Sequence, residues 1–256
     1  MKNLVKQERI AMNRKIFRYV TENIRDSFKL DRYAEIKTGI GANTVINDLP
    51  WTPKRYEKFV STLRDTFDVE PHLGGTVLDM VNDIDDKYSA RFWGGGVWQP
   101  RTDIYQYSGW NVVDEINKKN PRAVLDVGCG YNQFKPRIPN LVGIDKFNNS
   151  ADYMVDILDY NVDPGTYDAV IVFGSINFGD YDDVSKRFAK VFDLTASNGM
   201  VYVRANPGCN HKNGPWIDIF AWNFENAHRI AKENDVDLVS FKRDNGDRLF
   251  FSYQKR

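Results

Sequence analysis

The sequence predicts an α/β protein, with a seven-stranded, mostly parallel sheet closed by an antiparallel C-terminal hairpin and preceded by a helical N-terminal extension. Three observations predict it. From Ala123 onward, short apolar runs alternate with helical patterns, the mark of a parallel sheet with crossover connections. Asn245-Gly246 separates the last two apolar runs, as in a hairpin turn. Ahead of Ala123 the apolar residues recur at helical spacing instead, which assigns that part to helices.

The elements follow in order. Leu4 to Phe28 reads as an amphipathic helix, because Ile10, Phe17, Val20, Ile24 and Phe28 stay on one side of a 3.6-residue repeat. Thr52 as N-cap and Pro53 in the first turn open a second helix carrying Tyr56, Phe59, Val60, Leu63 and Phe67. A shorter helix fits Leu73 to Ile84. Arg91 to Tyr107, with Gly94-Gly95-Gly96 among aromatic residues, reads as a loop or lid. Ser108 caps a further helix through Trp110, Val113 and Ile116, and Asn120-Pro121 ends it.

Strands are predicted at Ala123 to Val127, Leu141 to Ile144, Tyr153 to Val155, Ala169 to Phe173 and Met200 to Arg204. A helix from about Asp182 to Ala196 is closed by Asn198-Gly199. Another runs from about Ile217 to Asn234, and the hairpin pairs Val236 to Arg243 with Arg248 to Tyr253. These assignments divide the chain into a helical or lid region, 1–108, and a sheet domain, 109–256.

Composition narrows the function. Lys plus Arg equals Asp plus Glu, 35 each, so no global field draws in nucleic acid or an anionic membrane. Charge is skewed only in Met1 to Lys29, where eight basic residues face Glu8, Glu22 and Asp26. That skew fits a solvated helix face as well as a nucleic-acid arm. Cys129 and Cys209, the two cysteines, make neither a disulfide framework nor a structural zinc site. With no secretory pattern ahead of them, they predict a reducing, cytoplasmic setting. The longest apolar run, Ala169 to Phe173, is far short of the roughly 20 residues of a membrane span.

The stretch Val124-Leu125-Asp126-Val127-Gly128-Cys129-Gly130-Tyr131-Asn132 is a buried strand running into a glycine turn. Such glycines let backbone approach a ligand with no Cβ between. Asp145 ends the next strand, where a carboxylate can accept from both hydroxyls of a ribose. Together they predict a nucleoside pocket. Gln133 stands where a dinucleotide fingerprint has its third glycine, which disfavours pyrophosphate. Asp126, two residues before Gly128, would repel phosphate and attract the ammonium of a methionine moiety. Charge therefore favours S-adenosylmethionine as the cofactor.

These residues resemble the D-x-G-x-G-x-G motif of the class I, Rossmann-like S-adenosylmethionine-dependent methyltransferases, with Asn132 in the place of the last glycine. The resemblance covers roughly Pro121 to Arg256, including the terminal antiparallel hairpin. It implies that Asp126, Gly128, Cys129 and Gly130 line the methionine end and that Asp145 holds the ribose. It also implies that Asp156 and Ile157 meet the adenine and that Gly174 and Ser175 lie beside the sulfonium. Asn is tolerable at 132 because it visits left-handed backbone more readily than most residues. Pro136 and Pro139 leave at most a turn or two of helix between Gly130 and Leu141.

Methyl transfer from a sulfonium needs alignment and exclusion of water more than a fixed catalytic set. The D/N-P-P-Y/F/W signature of amino-group DNA methylation is absent at Gly174-Ser175-Ile176-Asn177-Phe178, and no Pro-Cys nucleophile motif follows. The loop Ala205 to Trp216, at the carboxyl edge of the sheet, is the predicted substrate loop and contains Asn206 and His211. His211 is the candidate general base, against the bland reading of an exposed loop histidine. Cys129 reads as packing. Trp98, Arg101 and Tyr107 either close over the cofactor or substrate or belong to an ordinary packed interface; similar additions in the family often form a lid. The predicted reaction is methyl transfer to an oxygen or nitrogen of a small molecule or protein. Two alternatives stand beside it: a non-catalytic scaffold that keeps the fold, and an RNA methyltransferase that uses the basic N-terminal helix.

Overall fold

A computed structural model describes residues 13–28, 39–99, 109–244 and 246–256. The chain divides into two compact units, 1–88 and 89–256.

In the first unit, α1 (Arg14–Ser27) starts at Asn13, whose side chain accepts from the amides of Lys15 and Ile16, as an N-cap does. Residues 4–12 of the predicted helix lie outside the described residues. Ile16, Val20 and Ile24 form its buried stripe. α2 (Pro53–Phe67) begins as the sequence predicts, with the Thr52 side chain accepting from the Arg55 amide, and buries Phe59, Val60, Leu63 and Phe67. Tyr19 joins the two helices, edge-on to Phe67 with centroids 5.4 Å apart and hydrogen-bonded to Thr66 at 2.7 Å.

α3 (Val77–Gly94) corrects the expected short helix and the irregular chain after Arg91. Thr76 and Asp79 cap it reciprocally: the Asp79 amide donates to Thr76 Oγ1 and the Thr76 amide to Asp79 Oδ2. The buried stripe Val77, Met80, Val81 and Ile84 continues through Tyr88 and Phe92, so burial carries the helix to the glycines at 94–96.

In the second unit, after the end of α3, comes α4 (Gly109–Lys118); Ser108, its expected cap, lies outside the described residues. Seven strands follow: β1 (Val124–Val127), β2 (Leu141–Asp145), β3 (Tyr153–Met154), β4 (Tyr167–Phe173), β5 (Thr195–Ala205), β6 (Val236–Arg243) and β7 (Leu249–Lys255). Their order is β3-β2-β1-β4-β5-β7-β6. β1 to β5 are parallel, and β7 is antiparallel to both neighbours. The chain thus has the predicted mostly parallel seven-stranded Rossmann-like sheet with an antiparallel C-terminal hairpin. Strand alternation sends Val124, Ala169, Ile171 and Tyr202 to the α4 face. Leu125, Val170, Val172 and Val203 go to the face covered by α5 (Tyr181–Leu194) and α6 (Phe224–Glu233). The chain winds from β1 outward to β3 and then returns to β4, which makes the carboxyl ends of β1 and β4 the topological switch point. Open α/β sheets take ligands at such a switch point.

Two predicted boundaries are corrected. Asn198-Gly199 does not close α5. The helix ends at Leu194, with the Thr195 hydroxyl on the Val191 carbonyl at 2.7 Å; Asn198, at φ +62°, belongs to an irregularity in β5 where the register with β4 shifts. α6 starts only after Asn223, whose side chain accepts from the Asn226 amide at 2.8 Å. Ile217, Phe220 and Trp222 are buried but on non-helical chain. The Phe220 amide donates to the Asn177 carbonyl and the Trp222 amide to that of Asn206. Among the described residues, no helix is long and apolar enough to cross a membrane.

Candidate functional site

The turn after β1 is built from backbone. The amides of Gly128 and Cys129 both donate to the Ile144 carbonyl, at 2.8 and 3.0 Å, which ties the turn to β2. Gly128, Gly130 and Asn132 all have left-handed φ, +68°, +55° and +53°, so Asn132 takes the backbone conformation expected of the glycine it replaces. Its Nδ2 donates to the Ser150 carbonyl at 3.2 Å. A Cβ on Gly128 would lie 2.2 Å from the Ser175 Cβ, and one on Gly130 would lie 3.0 Å from Cζ3 of Trp98. The room left by both missing side chains is therefore taken up within the protein, by the end of β4 and by an indole.

Two carboxylates flank the turn. Asp126 is 2% exposed, and among the described residues its buried Oδ2 has no hydrogen-bond partner. Burial, and secondarily the charge of Asp145, pushes its carboxyl up to about 8. Asp145 is differently occupied. Its Oδ2 accepts from the Gly130 amide at 3.0 Å, and its Oδ1 from the amides of Phe147 and Asn148 at 2.8 and 2.9 Å. A carboxylate has about four lone-pair positions, so one on Oδ2 remains. The two-hydroxyl grip expected from the sequence requires the bond from Gly130 to open. Cys129 is buried, and its thiol is raised by that burial and by Asp126, Asp145 and Asp152. A thiol so disfavoured as thiolate is a packing group.

Ser175 stands just beyond β4 with its Oγ buried and, among the described residues, unpartnered. The Gly174 amide beside it donates to the Arg204 carbonyl at 2.8 Å. Asp156 Oδ1 accepts from the Leu158 amide at 3.0 Å, and Oδ2 lies 3.5 Å from Arg187 Nη2. Ile157 is 5% exposed and belongs to the apolar cluster on the α5 and α6 face, so its side chain is a core group.

The loop after β5 is held by Asn206, which is 2% exposed. Its Oδ1 accepts from the amides of Gly208 and Cys209 and its Nδ2 donates to the Cys209 carbonyl. The side chain is spent on shaping the loop. Its own amide donates to Asn177 Oδ1 at 3.1 Å, which links this loop to the one after β4. His211 is partly buried, with ring centroids 5.4 Å from both Phe92 and Trp93. Trp93 also meets Trp98 and Phe178, each at 5.4 Å. Trp98 and His211 are thus brought into one ring cluster, while Arg101 and Tyr107 lie outside the described residues. Trp93, Phe178 and Asn177 were not singled out from the sequence. Trp93 sits in the same aromatic stretch as Trp98, but nothing local marks Asn177 or Phe178. Among the described residues, no group of three or more His, Cys, Asp or Glu side chains could hold a metal ion.

No protein-family model matches the chain, and no curated protein matches it. Among solved structures it is similar to 1,6-didemethyltoxoflavin-N1-methyltransferase from Burkholderia thailandensis, solved with bound 1,6-didemethyltoxoflavin and S-adenosylhomocysteine. Identity there is 12%, covering 83% of this chain and 94% of that one, with a TM-score of 0.49. It is similar also to the N-methyltransferase NodS from Bradyrhizobium japonicum WM9 in complex with S-adenosylhomocysteine, at 13% identity, 57% and 84% coverage and a TM-score of 0.45. A third is the (4+2)-cyclase SpnF, at 11% identity, 62% and 85% coverage and a TM-score of 0.44. Likenesses this remote set no reaction for this chain, since even a shared fold does not. It is the strand order, with its terminal hairpin, that gives this chain the sheet architecture of the class I S-adenosylmethionine-dependent methyltransferases.

Proposed function

We propose that the chain binds S-adenosylmethionine at the carboxyl ends of β1 and β4 and directs its methyl group to an oxygen or nitrogen of a small-molecule or protein acceptor. The observation that carries this reading is the buried, unpartnered Oδ2 of Asp126. Leaving such an acceptor unsatisfied costs about 1–3 kcal/mol, and a cationic donor removes that cost. The ammonium of a methionine moiety is such a donor. It would also offset the mutual repulsion of Asp126 and Asp145, which a pyrophosphate would worsen. Ser175 Oγ offers a second unpartnered polar atom at the adjoining strand end. The residues fit the cofactor at its methionine end, and at its sugar end they offer the remaining lone pair of Asp145.

When bound, the cofactor supplies an activated methyl group on a sulfonium. The protein's part is to align the acceptor and exclude water. In this reading the rings of Phe92, Trp93 and Phe178 shield the site, and His211 takes the acceptor's proton. Its support is its partly buried ring against Phe92 and Trp93. Asn206, Asn177 and Gly174 hold the loops on which these groups stand.

Calorimetry with S-adenosylhomocysteine against NAD tests the cofactor. Binding of the first alone supports the reading, and binding of NAD alone sinks it. Incubating cell extract with an isotopic methyl donor, followed by mass spectrometry, identifies the acceptor. With an acceptor in hand, His211→Gln should lower kcat and leave cofactor affinity unchanged.

A further inference from the structure

We propose that Trp98 occludes the cofactor cradle in the unliganded protein, so that the adenosyl ligand binds only after the indole has moved off Gly130. The inference rests on the cofactor reading above. Gly130 is buried, and what covers the position of its missing Cβ is the six-membered edge of the indole, with Cζ3 at 3.0 Å and Cη2 at 3.4 Å. Among the described residues, no other atom lies within 4 Å of that position outside Gly130 and its chain neighbours. The same glycine donates its amide to Asp145 Oδ2. A sugar bound to the free lone pair of that carboxylate lies beside Gly130, in space the indole now fills. Indole and ligand compete for one place.

The indole is mounted to move. Among the described residues, the backbone bond that anchors its residue runs from the Trp98 amide to the Phe92 carbonyl at 3.0 Å. Gly94, Gly95, Gly96 and Val97 before it are exposed, and the three glycines, lacking Cβ, give this short segment backbone freedom to pivot. Inward, the ring stands edge-on to Trp93, which touches Phe178 and His211. Departure of Trp98 therefore uncovers one side of Trp93 in the ring cluster. Loading the cofactor and opening the acceptor side become one event, and the cofactor binds first.

The test is S-adenosylhomocysteine binding to wild type, Trp98→Ala and Trp98→Phe, by calorimetry and by stopped-flow tryptophan fluorescence. An occluding indole makes the competent state a minor one, so its removal should tighten binding by about tenfold and speed association. Trp98→Phe should fall between. In wild type, binding should shift emission to the red as the indole enters water, and the shift should vanish in Trp98→Phe. That readout stands even where the alanine variant does not fold. Equal or weaker binding by Trp98→Ala, or no spectral difference between wild type and Trp98→Phe, overturns the inference while the cofactor reading stands. Absence of binding to every variant and to wild type removes the cofactor reading itself, and this inference with it.

Discussion

The amide of Gly130 donates to Oδ2 of Asp145 at 3.0 Å, so the carboxylate ending β2 is the clasp of the turn that follows β1. With Phe147 and Asn148 on Oδ1, it gathers three backbone donors from two loops. Asp145→Ala should cost about 2–3 kcal/mol, because several donors lose a charged acceptor at once. S-adenosylhomocysteine affinity should fall by tenfold or more, about 1.4 kcal/mol. Asp145→Asn keeps one acceptor oxygen and should lose less of both. Urea denaturation and calorimetry check the two effects, and unchanged stability in the alanine variant would deny the clasp.

Asp126 makes stability depend on pH in a direction opposite to that of a paired carboxylate. Its carboxyl is raised from 3.8 to about 8 in the folded chain. Between those values the folded state holds a proton that the unfolded state has lost. Stability is therefore full below about pH 4 and falls as pH rises to about 8, by up to about 1.4 kcal/mol per unit. Asp126→Asn should flatten this slope, so its melting temperature should gain on wild type from pH 5 to 8. A parallel pair of melting curves refutes the assignment.

In the proposed function the same carboxyl should link cofactor affinity to protons. An ammonium beside Asp126 favours its ionised form, so binding of S-adenosylhomocysteine near pH 7 should release a proton and strengthen as pH rises toward 8. Calorimetry in buffers of different ionisation enthalpy measures the release. Asp126→Asn should abolish it.

Gly128 is fixed by its neighbour. Because a Cβ there would stand 2.2 Å from that of Ser175 at φ +68°, Gly128→Ala should destabilise the protein by about 2–4 kcal/mol through overpacking and left-handed strain. Adding Ser175→Gly should restore only the overpacking part. Chemical denaturation of the two single variants and the pair separates the two causes.

Asp244 organises the C-terminal hairpin. It is 5% exposed, its Oδ2 meets Arg204 Nε at 2.7 Å, and its Oδ1 accepts from the amides of Gly246 and Arg248. Asp244→Ala should cost about 3–5 kcal/mol by leaving a largely buried guanidinium without this partner. A thermal melt shows the loss.

Much of this molecule was legible locally. The seven apolar runs became the seven strands, since a short run bounded by turn residues has few other ways to bury itself. Thr52-Pro53 began α2, and Asn132 took the left-handed backbone of the glycine it replaces. Where local pattern misled, a distant contact was the reason. Ile217, Phe220 and Trp222 fell within the helix predicted from about Ile217 but were buried on non-helical chain held by Asn177 and Asn206. The stripe of α3 ran past Ile84 because Tyr88 and Phe92 were also buried. Asn206 looked like a substrate group by its position, yet its hydrogen bonds close its own loop.

By itself the sequence determined the sheet, the glycine turn after β1, and the acidic residues at the ends of β1 and β2, since those follow from periodicity and backbone preference along neighbouring residues. Only the tertiary structure decided that Asp126 keeps an unpartnered oxygen, that Asp145 is already held by three amides, and that Trp98 rests on Gly130. Those outcomes depend on which groups from remote parts of the chain reach a given atom first, and spacing along a chain carries no record of distance across a fold.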